Sequence, residues 1–429
     1  MTPSLPSSPS LPELPRETKL VVGLIGGAEF VNHTYLVLFP PILGLLAVEF
    51  DVSLGMLGLA MGVQGFTNAV FQLPFGYLSD SYDRRFVLAL SMGLSTASVF
   101  VVALAPTFEV LLVGQALLGI GIAGHHPVHF PLLADASPEH LRARAFSVRG
   151  FLGSLGFAAP PVVVTAAVAV PGLTWRHAIG AIGLFGAVYT LLTLITFFRY
   201  VDGETTTPAP SASGAGRPLG ERLREEIRAV VAAPAILALA LLALVSSLAS
   251  WSVTSYAVVL LQDGYGLGLD VANLSLTGLF VAGAVTILLG GELSDRFSPG
   301  PVIVASYLSV ALFVGLLASF VLSPVLAVAA VVLVGALRSL AGPARSKLAD
   351  LLSARADLGR NFAIVSVGTM AGSAVAPPMV GGLIEYADLR VAFAVVAAAS
   401  VLATAVALAI VRSYGNGRGL GVGAAPGDD

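Results

Sequence analysis

Long apolar runs separated by short polar segments fill most of this chain. A helix that crosses a bilayer needs about 20 largely apolar residues, and twelve runs reach that length. The pattern therefore predicts an all-α membrane protein with twelve transmembrane helices. These runs, numbered here as spans 1 to 12, lie near residues 20–47, 54–78, 86–105, 108–133, 147–170, 178–200, 235–261, 270–291, 301–322, 324–346, 361–385 and 389–411.

The composition also indicates a membrane protein. Hydrophobic residues make up 56% of the chain and charged residues 11%, whereas soluble domains carry about 25% charged residues. A surface this poor in charge must face lipid, so the lipid bilayer is an expected partner. There is no cysteine, which excludes thiolate metal sites and cysteine nucleophiles. Since nucleotide-binding loops and nucleophile elbows are absent too, we expect no enzyme activity, no cofactor and no nucleic-acid partner.

Polar and low-complexity segments divide the chain. The segment from Thr205 to Pro218 is rich in Thr, Pro, Ala, Ser and Gly, and we expect it to be flexible. Residues 219–231 carry charge on one side and Leu, Ile and Val on another, which predicts either an interfacial amphipathic helix or a solvated spacer helix. The predicted regions are disordered tails at 1–19 and 413–429, six-helix bundles at 20–200 and 235–412, and a linker at 201–234.

The distribution of Arg and Lys predicts the orientation. Most of these residues fall in alternate polar segments and in the two tails, and the opposite segments hold only Arg176 and Arg390. By the positive-inside rule, both termini are expected in the cytoplasm. The chain is therefore predicted to be a multi-pass protein of the cytoplasmic membrane.

A short motif occurs once in each half of the chain. Gly76-Tyr77-Leu78-Ser79-Asp80 returns as Gly291-Glu292-Leu293-Ser294-Asp295, and Ala134-Asp135 returns as Ala349-Asp350. Each copy closes an equivalent apolar run. The chain therefore reads as a duplication of a six-helix unit, an arrangement typical of transporters.

These residues resemble the major facilitator superfamily, over the whole chain apart from the tails. Gly76, Leu78, Asp80, Arg84 and Arg85 match its motif between spans 2 and 3, whereas Ser81 and Asp83 depart from it. The second copy keeps Gly291, Leu293, Asp295 and Arg296 but lacks the Arg pair. The resemblance implies two pseudo-symmetric halves around a central cavity.

The resemblance also implies a role for the motif as a latch between the halves while the cavity faces outward. Gly76 and Gly291 would admit a closely packed helix. Asp80 would accept hydrogen bonds at a helix N-terminus, and Arg84, Arg85 and the Arg142/Arg144 pair offer it cationic partners. The alternative is a loop that only obeys the positive-inside rule.

Titratable residues inside the spans are candidates for proton coupling, because charge at the bilayer centre costs about 2.5–3.5 kcal/mol on insertion scales. Glu29 and His33 share one face of span 1, and His125 and His129 share one face of span 4. The family resemblance implies that spans 1, 4, 7 and 10 line the cavity. The alternatives are a fixed Glu29–His33 ion pair and helix packing around Pro127. We expect no metal site, because no carboxylate lies alongside the span-4 histidines in sequence.

Further polar residues are candidates for substrate binding. Arg338 in span 10 stays charged and needs an anion, which could be Glu29 or a carboxylate or phosphate of the substrate. Gln64 and Asn68 belong to a polar stripe on span 2 that could bind ligand or hold helices together. The remaining candidates are Asn32, Gln115, Trp251 and Tyr256; Gln115 stands where many family members carry an arginine.

The predicted function is secondary active transport of a small organic solute by alternating access, with a proton as coupling partner. Export by antiport is the first expectation, supported by a looser resemblance of His33, Tyr35, Pro40-Pro41 and Gly124-His125-His126-Pro127 to fosmidomycin-resistance-type efflux proteins. The alternative is proton-coupled uptake of a small organic anion, and a non-transporting membrane sensor is a further alternative. We expect a functional monomer.

Overall fold

The computed structural model describes residues 15–208, 233–353 and 358–414. The predicted amphipathic segment at 219–231 and most of both predicted tails lie outside the described residues. The surroundings of Gly291 and the side chain of Asp295 lie outside them as well. The first helix begins at Arg16, so the last residues of the predicted N-terminal tail belong to span 1.

Twelve helical segments within the described ranges are long and apolar enough to cross a membrane, and no strand occurs in those ranges. This confirms the all-α prediction and the number of spans. Spans 1 to 12 are Arg16–Phe50, Leu54–Ser81, Arg84–Ala103, Phe108–Asp135, Glu139–Val168, Trp175–Tyr200, Pro234–Gly264, Leu269–Ile287, Pro299–Ser319, Pro324–Leu352, Asn361–Tyr386 and Leu389–Tyr414. The helix of span 8 continues to Arg296, and the helix of span 11 begins at Leu358.

Two spans of the first half are interrupted. Span 1 consists of a helix at Arg16–Leu36, a 3₁₀ turn at Pro40–Ile42 and a helix at Leu43–Phe50. The two prolines of that turn have no backbone N–H to give to a continuous α-helix. Span 4 is divided at Gly124 into Phe108–Ala123 and His125–Asp135.

The same helix pairings occur in both halves. In the first half, span 1 packs on span 5, span 2 on span 4 and span 3 on span 6; in the second half, span 7 packs on span 11, span 8 on span 10 and span 9 on span 12. Between the halves, span 2 packs on span 11 and span 5 on span 8, which are equivalent contacts under the duplication. The predicted pseudo-symmetric halves are thereby confirmed.

The halves are closely packed at one end of the bundle. We call the end that carries Arg16 and Tyr414 the terminal face, and the opposite end the distal face. Near the distal face, a side-chain Cβ on Gly58 would lie 2.5 Å from the carbonyl oxygen of Pro377 in span 11. The hydroxyl of Tyr256 donates a hydrogen bond shared between this oxygen, at 2.9 Å, and that of Leu54, at 3.2 Å. Tyr256, expected in the cavity, is instead fully buried in this contact between the halves.

Candidate functional site

A cavity of about 520 Å³ lies between the two halves, a size typical of small-molecule sites. Pro40 and Pro377 line its distal end and are buried, whereas Phe130 and Ser366 line its other end and are exposed. This central cavity therefore opens toward the terminal face. The remaining lining residues are His33, Leu36, Met61, Gln64, Gly65, Asn68, Gln72, His126, Phe157, Trp251, Ser255, Arg345, Thr369, Met370 and Ser373.

Four of the predicted site residues line the central cavity: His33, Gln64, Asn68 and Trp251. Spans 2 and 11 contribute many of the lining side chains, in addition to the four spans expected from the family resemblance. Asn32 and Gln115 do not line it. Both are 1% exposed, and their amide groups have no hydrogen-bond partner in the part of the chain that the structure describes.

Glu29 is the centre of a buried cluster of charged and titratable side chains. It is 1% exposed. Its Oε1 accepts a hydrogen bond from Nη2 of Arg149 at 2.7 Å and lies 3.2 Å from Nε2 of His33. The same oxygen lies 3.3 Å from Nε2 of His126, and Oε2 lies 3.1 Å from Nδ1 of His129. We call these five residues from spans 1, 4 and 5 the Glu29 cluster.

Two members of the Glu29 cluster connect it to the central cavity. The side chain of His126 is 43% exposed and that of His33 is 17% exposed, and both line the cavity. The side chain of His129 is fully buried behind them. The polar side chains of His126 and His33 therefore connect the carboxylate of Glu29 to the cavity.

The prediction for His125 needs correction. Its ring packs edge to face on that of His129, with centroids 4.9 Å apart, and neither ring nitrogen has a hydrogen-bond partner among the described residues. His125 and His129 share one face of the helix His125–Asp135, as predicted, but of the two only His129 reaches Glu29. His126 also lies beside Glu29.

Sequence reasoning also missed Arg149. Its side chain is 9% exposed and forms an ion pair with Glu29, and its guanidinium carbon lies 4.3 Å from the ring centroid of Phe130. The sequence did contain a signal for Arg149, since an arginine inside a predicted span is expected to have a functional or structural partner. Gly153, one turn further along span 5, allows this approach: a Cβ there would lie 2.7 Å from Cγ of Glu29 and from Nδ1 of His33.

Arg338 has no contact with Glu29, contrary to one of the two expected pairings. Its Nη1 donates to the carbonyl oxygen of Ser250 at 3.0 Å and to Oγ1 of Thr254 at 2.8 Å. It lines a smaller cavity of about 180 Å³ in the second half, which we call the side chamber. Trp251, Arg345 and Thr369 line both cavities, so the side chamber adjoins the central cavity.

An aromatic stack joins the Glu29 cluster to the side chamber. The ring of His33 stacks on Phe157 with centroids 4.2 Å apart, and Phe157 stacks on Phe280 at 5.4 Å. The guanidinium of Arg338 lies 5.9 Å from the centroid of Phe280. Titratable and cationic groups of the two halves thus lie at opposite ends of one continuous row of rings.

No carboxylate adjoins the span-4 histidines in sequence, but the fold brings Glu29 of span 1 beside two of them. Ligand atoms of Glu29, His33 and His126 all lie within 4.8 Å of one another, as in a metal site. The guanidinium of Arg149 bonds to the same carboxylate oxygen at 2.7 Å, however, and repels a cation placed there. The donor set therefore fits a proton better than a resident divalent ion.

The duplicated motif makes no contact between the halves in this conformation, as far as its described side chains show. Asp80 is exposed and has no polar partner in the described ranges, and no heavy atom lies within 4 Å of the position that a Cβ on Gly76 would take. The arginines expected to contact Asp80 bind elsewhere. Arg84 pairs with Asp135 at 2.5 Å and Arg85 with Asp83, while Arg296 of the second copy pairs with Glu292.

Asp83 caps the N-terminus of the span 3 helix. Its carboxylate accepts hydrogen bonds from the backbone N–H and the guanidinium of Arg85. Burial acts to raise the pKa of Asp83, but the hydrogen bonds and charge of Arg85 outweigh it and hold that pKa below its usual value. Asp83, which departs from the family motif, thus holds one of the arginines expected at Asp80.

Comparison with known proteins adds sequence relatives. The model of the Major Facilitator Superfamily matches residues 25–272 and 239–422. The inner membrane transport protein YajR of Escherichia coli (strain K12) is 31% identical over 130 residues. The matched segment covers 30% of this chain and 28% of the length of YajR.

Solved structures match over nearly the whole chain. A bacterial homologue of the human lysosomal transporter Spinster, in an inward-facing and unoccupied conformation, has a TM-score of 0.76 at 15% identity and covers 97% of this chain and 100% of its own. A point mutant of the nucleoside transporter NupG has a TM-score of 0.74 at 14% identity and covers 91% of this chain and 99% of its own. The D-xylose-proton symporter has a TM-score of 0.72 at 16% identity and covers 91% of this chain and 96% of its own. At these identities the likeness shows a shared fold.

Proposed function

Because the chain belongs to the Major Facilitator Superfamily, we propose that it is a secondary active transporter that moves a small organic solute by alternating access, coupled to protons. Two pseudo-symmetric halves enclose a cavity that is open at one face and closed at the other, which is the arrangement alternating access requires. We propose a functional monomer, since the two halves of one chain are sufficient to enclose the cavity.

We place the terminal face in the cytoplasm. The positive-inside rule supports this orientation, with Arg16, Lys19 and Arg412 at the terminal face, in the spans that carry the two ends of the chain. The described conformation is then inward-open, with the distal contact between Gly58, Tyr256 and Pro377 closing the outside. The protein would lie in the cytoplasmic membrane.

The Glu29 cluster carries the proposal of proton coupling. With Glu29 ionised and Arg149 charged, the pair is neutral, and three histidines are available to take one further proton. Histidine changes charge near physiological pH, and a buried carboxylate in a transmembrane cavity is a typical element of proton relays. In this mechanism His126 or His33 receives the proton from the cavity, and Glu29 holds it among buried groups during the conformational change.

The latch belongs to the opposite conformation. Closure of the terminal face would bring Gly76 and Asp80 against the second half, and Gly291, Asp295 and Arg296 against the first half. Asp80 is exposed and Arg84 and Arg85 bind other carboxylates in the described state, as expected of an opened latch. This role remains a prediction from the family motif.

Export by proton antiport is the first candidate direction, because the motifs of spans 1 to 4 resemble efflux members. Uptake by symport is the second candidate, and one observation favours it: Arg338 and Arg345 line the substrate cavities without a carboxylate among their described contacts. An anion held there would bind better when the Glu29 cluster gains a proton, because opposite charges attract.

Reconstitution into proteoliposomes tests the proposal. A panel of radiolabelled organic solutes is offered with a pH gradient imposed in either direction. Solute movement against the proton flux indicates antiport, and movement with it indicates symport. Glu29→Gln should lose the response to the gradient, whereas Glu109→Gln, which alters an exposed carboxylate of span 4, should keep it. Transport that ignores the gradient in the unaltered protein would contradict proton coupling.

A further inference from the structure

Two arginines of span 10 lie two turns apart on one face of their helix, and both line the side chamber. Arg338 and Arg345 are seven residues apart, which is close to two helical turns. Nη1 of Arg345 donates to Oγ of Ser246 at 3.2 Å, and Arg338 donates to Ser250 and Thr254. All these partners are neutral. In the part of the chain that the structure describes, neither arginine has a hydrogen bond or ion pair to a carboxylate.

We propose that the side chamber is an anion-binding subsite that takes a carboxylate or phosphate group of the transported solute; the assignment to the transported solute rests on the proposed function. A guanidinium cannot lose its proton in a protein, and a charge inside a transmembrane bundle is normally matched by a counter-charge. The guanidinium fork matches the geometry of carboxylate and phosphate oxygens. An anion between the two arginines provides the counter-charge that the described residues do not.

The walls of the side chamber suit an oxyanion. Ser246, Ser247, Ser250 and Thr369 line it beside the two arginines. The hydroxyls of Ser246, Ser247 and Thr369 donate to backbone carbonyl oxygens in the described state. The hydroxyl of Ser250 has no hydrogen bond among the described residues and can donate one to an oxyanion. No Asp or Glu lines either the side chamber or the central cavity among the described residues. Glu29, whose carboxylate lies just behind the cavity wall, is already neutralised by Arg149.

The boundary with the central cavity indicates how a solute would lie. Trp251 and Thr369 belong to both spaces, and the adjoining part of the central cavity presents Phe157, Met61 and Met370. An anionic head group in the side chamber would therefore leave its organic body against aromatic and thioether side chains. This geometry selects small organic anions with an apolar body over neutral sugars, which lack the charge.

The subsite is separate from the proton site. The Glu29 cluster belongs entirely to the first half, whereas Arg338 and Arg345 belong to the second, and the row Phe157–Phe280 lies between them. Anion binding can therefore be measured without any proton gradient. Loss of one function need not remove the other.

Tryptophan fluorescence measures binding directly. The chain has two tryptophans, and Trp175→Phe leaves Trp251, at the entrance of the side chamber, as the only indole. The purified variant in nanodiscs is titrated with benzoate, phenyl phosphate, inorganic phosphate and the neutral isostere benzamide, each up to about 10 mM. We expect benzoate or phenyl phosphate to change the fluorescence and benzamide not to.

Charge removal identifies the residues. In the same background, Arg338→Gln and Arg345→Gln should each weaken anion binding about tenfold or more, the loss expected when a charge-assisted hydrogen bond is removed. Arg412→Gln, which removes an exposed charge from the end of span 12, should bind as the background does. Arg338→Lys, which keeps the charge but not the fork, should bind with intermediate affinity.

Three outcomes would overturn the proposal: no anion binds, benzamide binds as well as benzoate, or both glutamine variants bind anions as the background does. Tighter binding of the organic anions than of inorganic phosphate supports an organic solute, and the reverse order supports a free inorganic ion at the same anion subsite. Retained anion binding in a protein whose transport ignores pH gradients would contradict the proposed proton coupling alone. Gradient-driven transport with charge-independent binding would contradict the subsite alone.

Discussion

Replacement of Arg149 by Leu tests whether the Glu29 cluster is an electrostatic unit. Glu29 and Arg149 have side chains that are 2% and 9% exposed and are joined at 2.7 Å. Removing one partner of a buried pair costs about 3–5 kcal/mol, because the other charge is left without compensation. We expect Arg149→Leu to lower the free energy of unfolding by about that amount at pH 8, measured by titrating SDS into mild-detergent micelles.

The double variant and the pH dependence separate this electrostatic effect from a packing loss. Glu29→Gln/Arg149→Leu removes both charges, so its loss should be smaller than the sum of the single losses by about 1–3 kcal/mol. The loss in Arg149→Leu should also shrink as the pH falls, because a protonated histidine of the Glu29 cluster can then supply the missing positive charge.

A matched control removes an arginine without a buried partner. Arg412→Leu lies at an exposed position of span 12, and its free energy of unfolding should stay within about 0.5 kcal/mol of the unaltered protein. Strictly additive losses in the double variant, with no dependence on pH, would refute the account of Glu29 and Arg149 as one unit.

Three other substitutions probe the site, the distal contact and the latch. Gly153→Ala should abolish transport by displacing the Glu29 cluster, whereas Gly150→Ala, with no heavy atom within 4 Å of its Cβ position, should transport normally; equal activity of the two would contradict the packing argument. Tyr256→Phe should weaken the distal contact by about 1 kcal/mol, a roughly fivefold shift toward the outward-open state. Because the chain has no cysteine, a single cysteine can be introduced at Ser366, and its labelling from the terminal side should slow in this variant. Unchanged labelling would argue against a gate. Asp80→Asn should slow the transport cycle at unchanged substrate affinity, and a loss confined to affinity would rule out the latch.

The fold could be predicted because the lengths of apolar runs fix the number of spans. The pairing of halves followed from the repeated motif at Asp80 and Asp295. The site was harder to predict, because its contacts depend on how the helices pack in three dimensions. Glu29 and His33 are one helical turn apart, so their proximity is a local property of span 1. Arg149 reaches Glu29 only through the packing of span 5 on span 1, which no spacing along the chain encodes.

The errors at the site have physical causes of the same kind. His125 and His129 share one helical face as expected, but only His129 of the two reaches the carboxylate, and His126 joins it there. Arg338 was expected to pair with Glu29 or with an anion, but Glu29 pairs with Arg149, and the rings of Phe157 and Phe280 lie between Arg338 and the Glu29 cluster. Tyr256 was a candidate for substrate binding, but its hydroxyl donates to two carbonyl oxygens of the distal contact.

Proton coupling through Glu29 is most directly tested by comparing two modes of transport in the same proteoliposomes. Solute exchange at equal pH needs only the conformational change, whereas accumulation against a gradient needs the proton. Gln can still accept the hydrogen bond of Arg149 through its amide oxygen, so Glu29→Gln is expected to fold. The account predicts that this variant retains exchange and loses accumulation driven by a pH gradient. Accumulation at the level of the unaltered protein would contradict it.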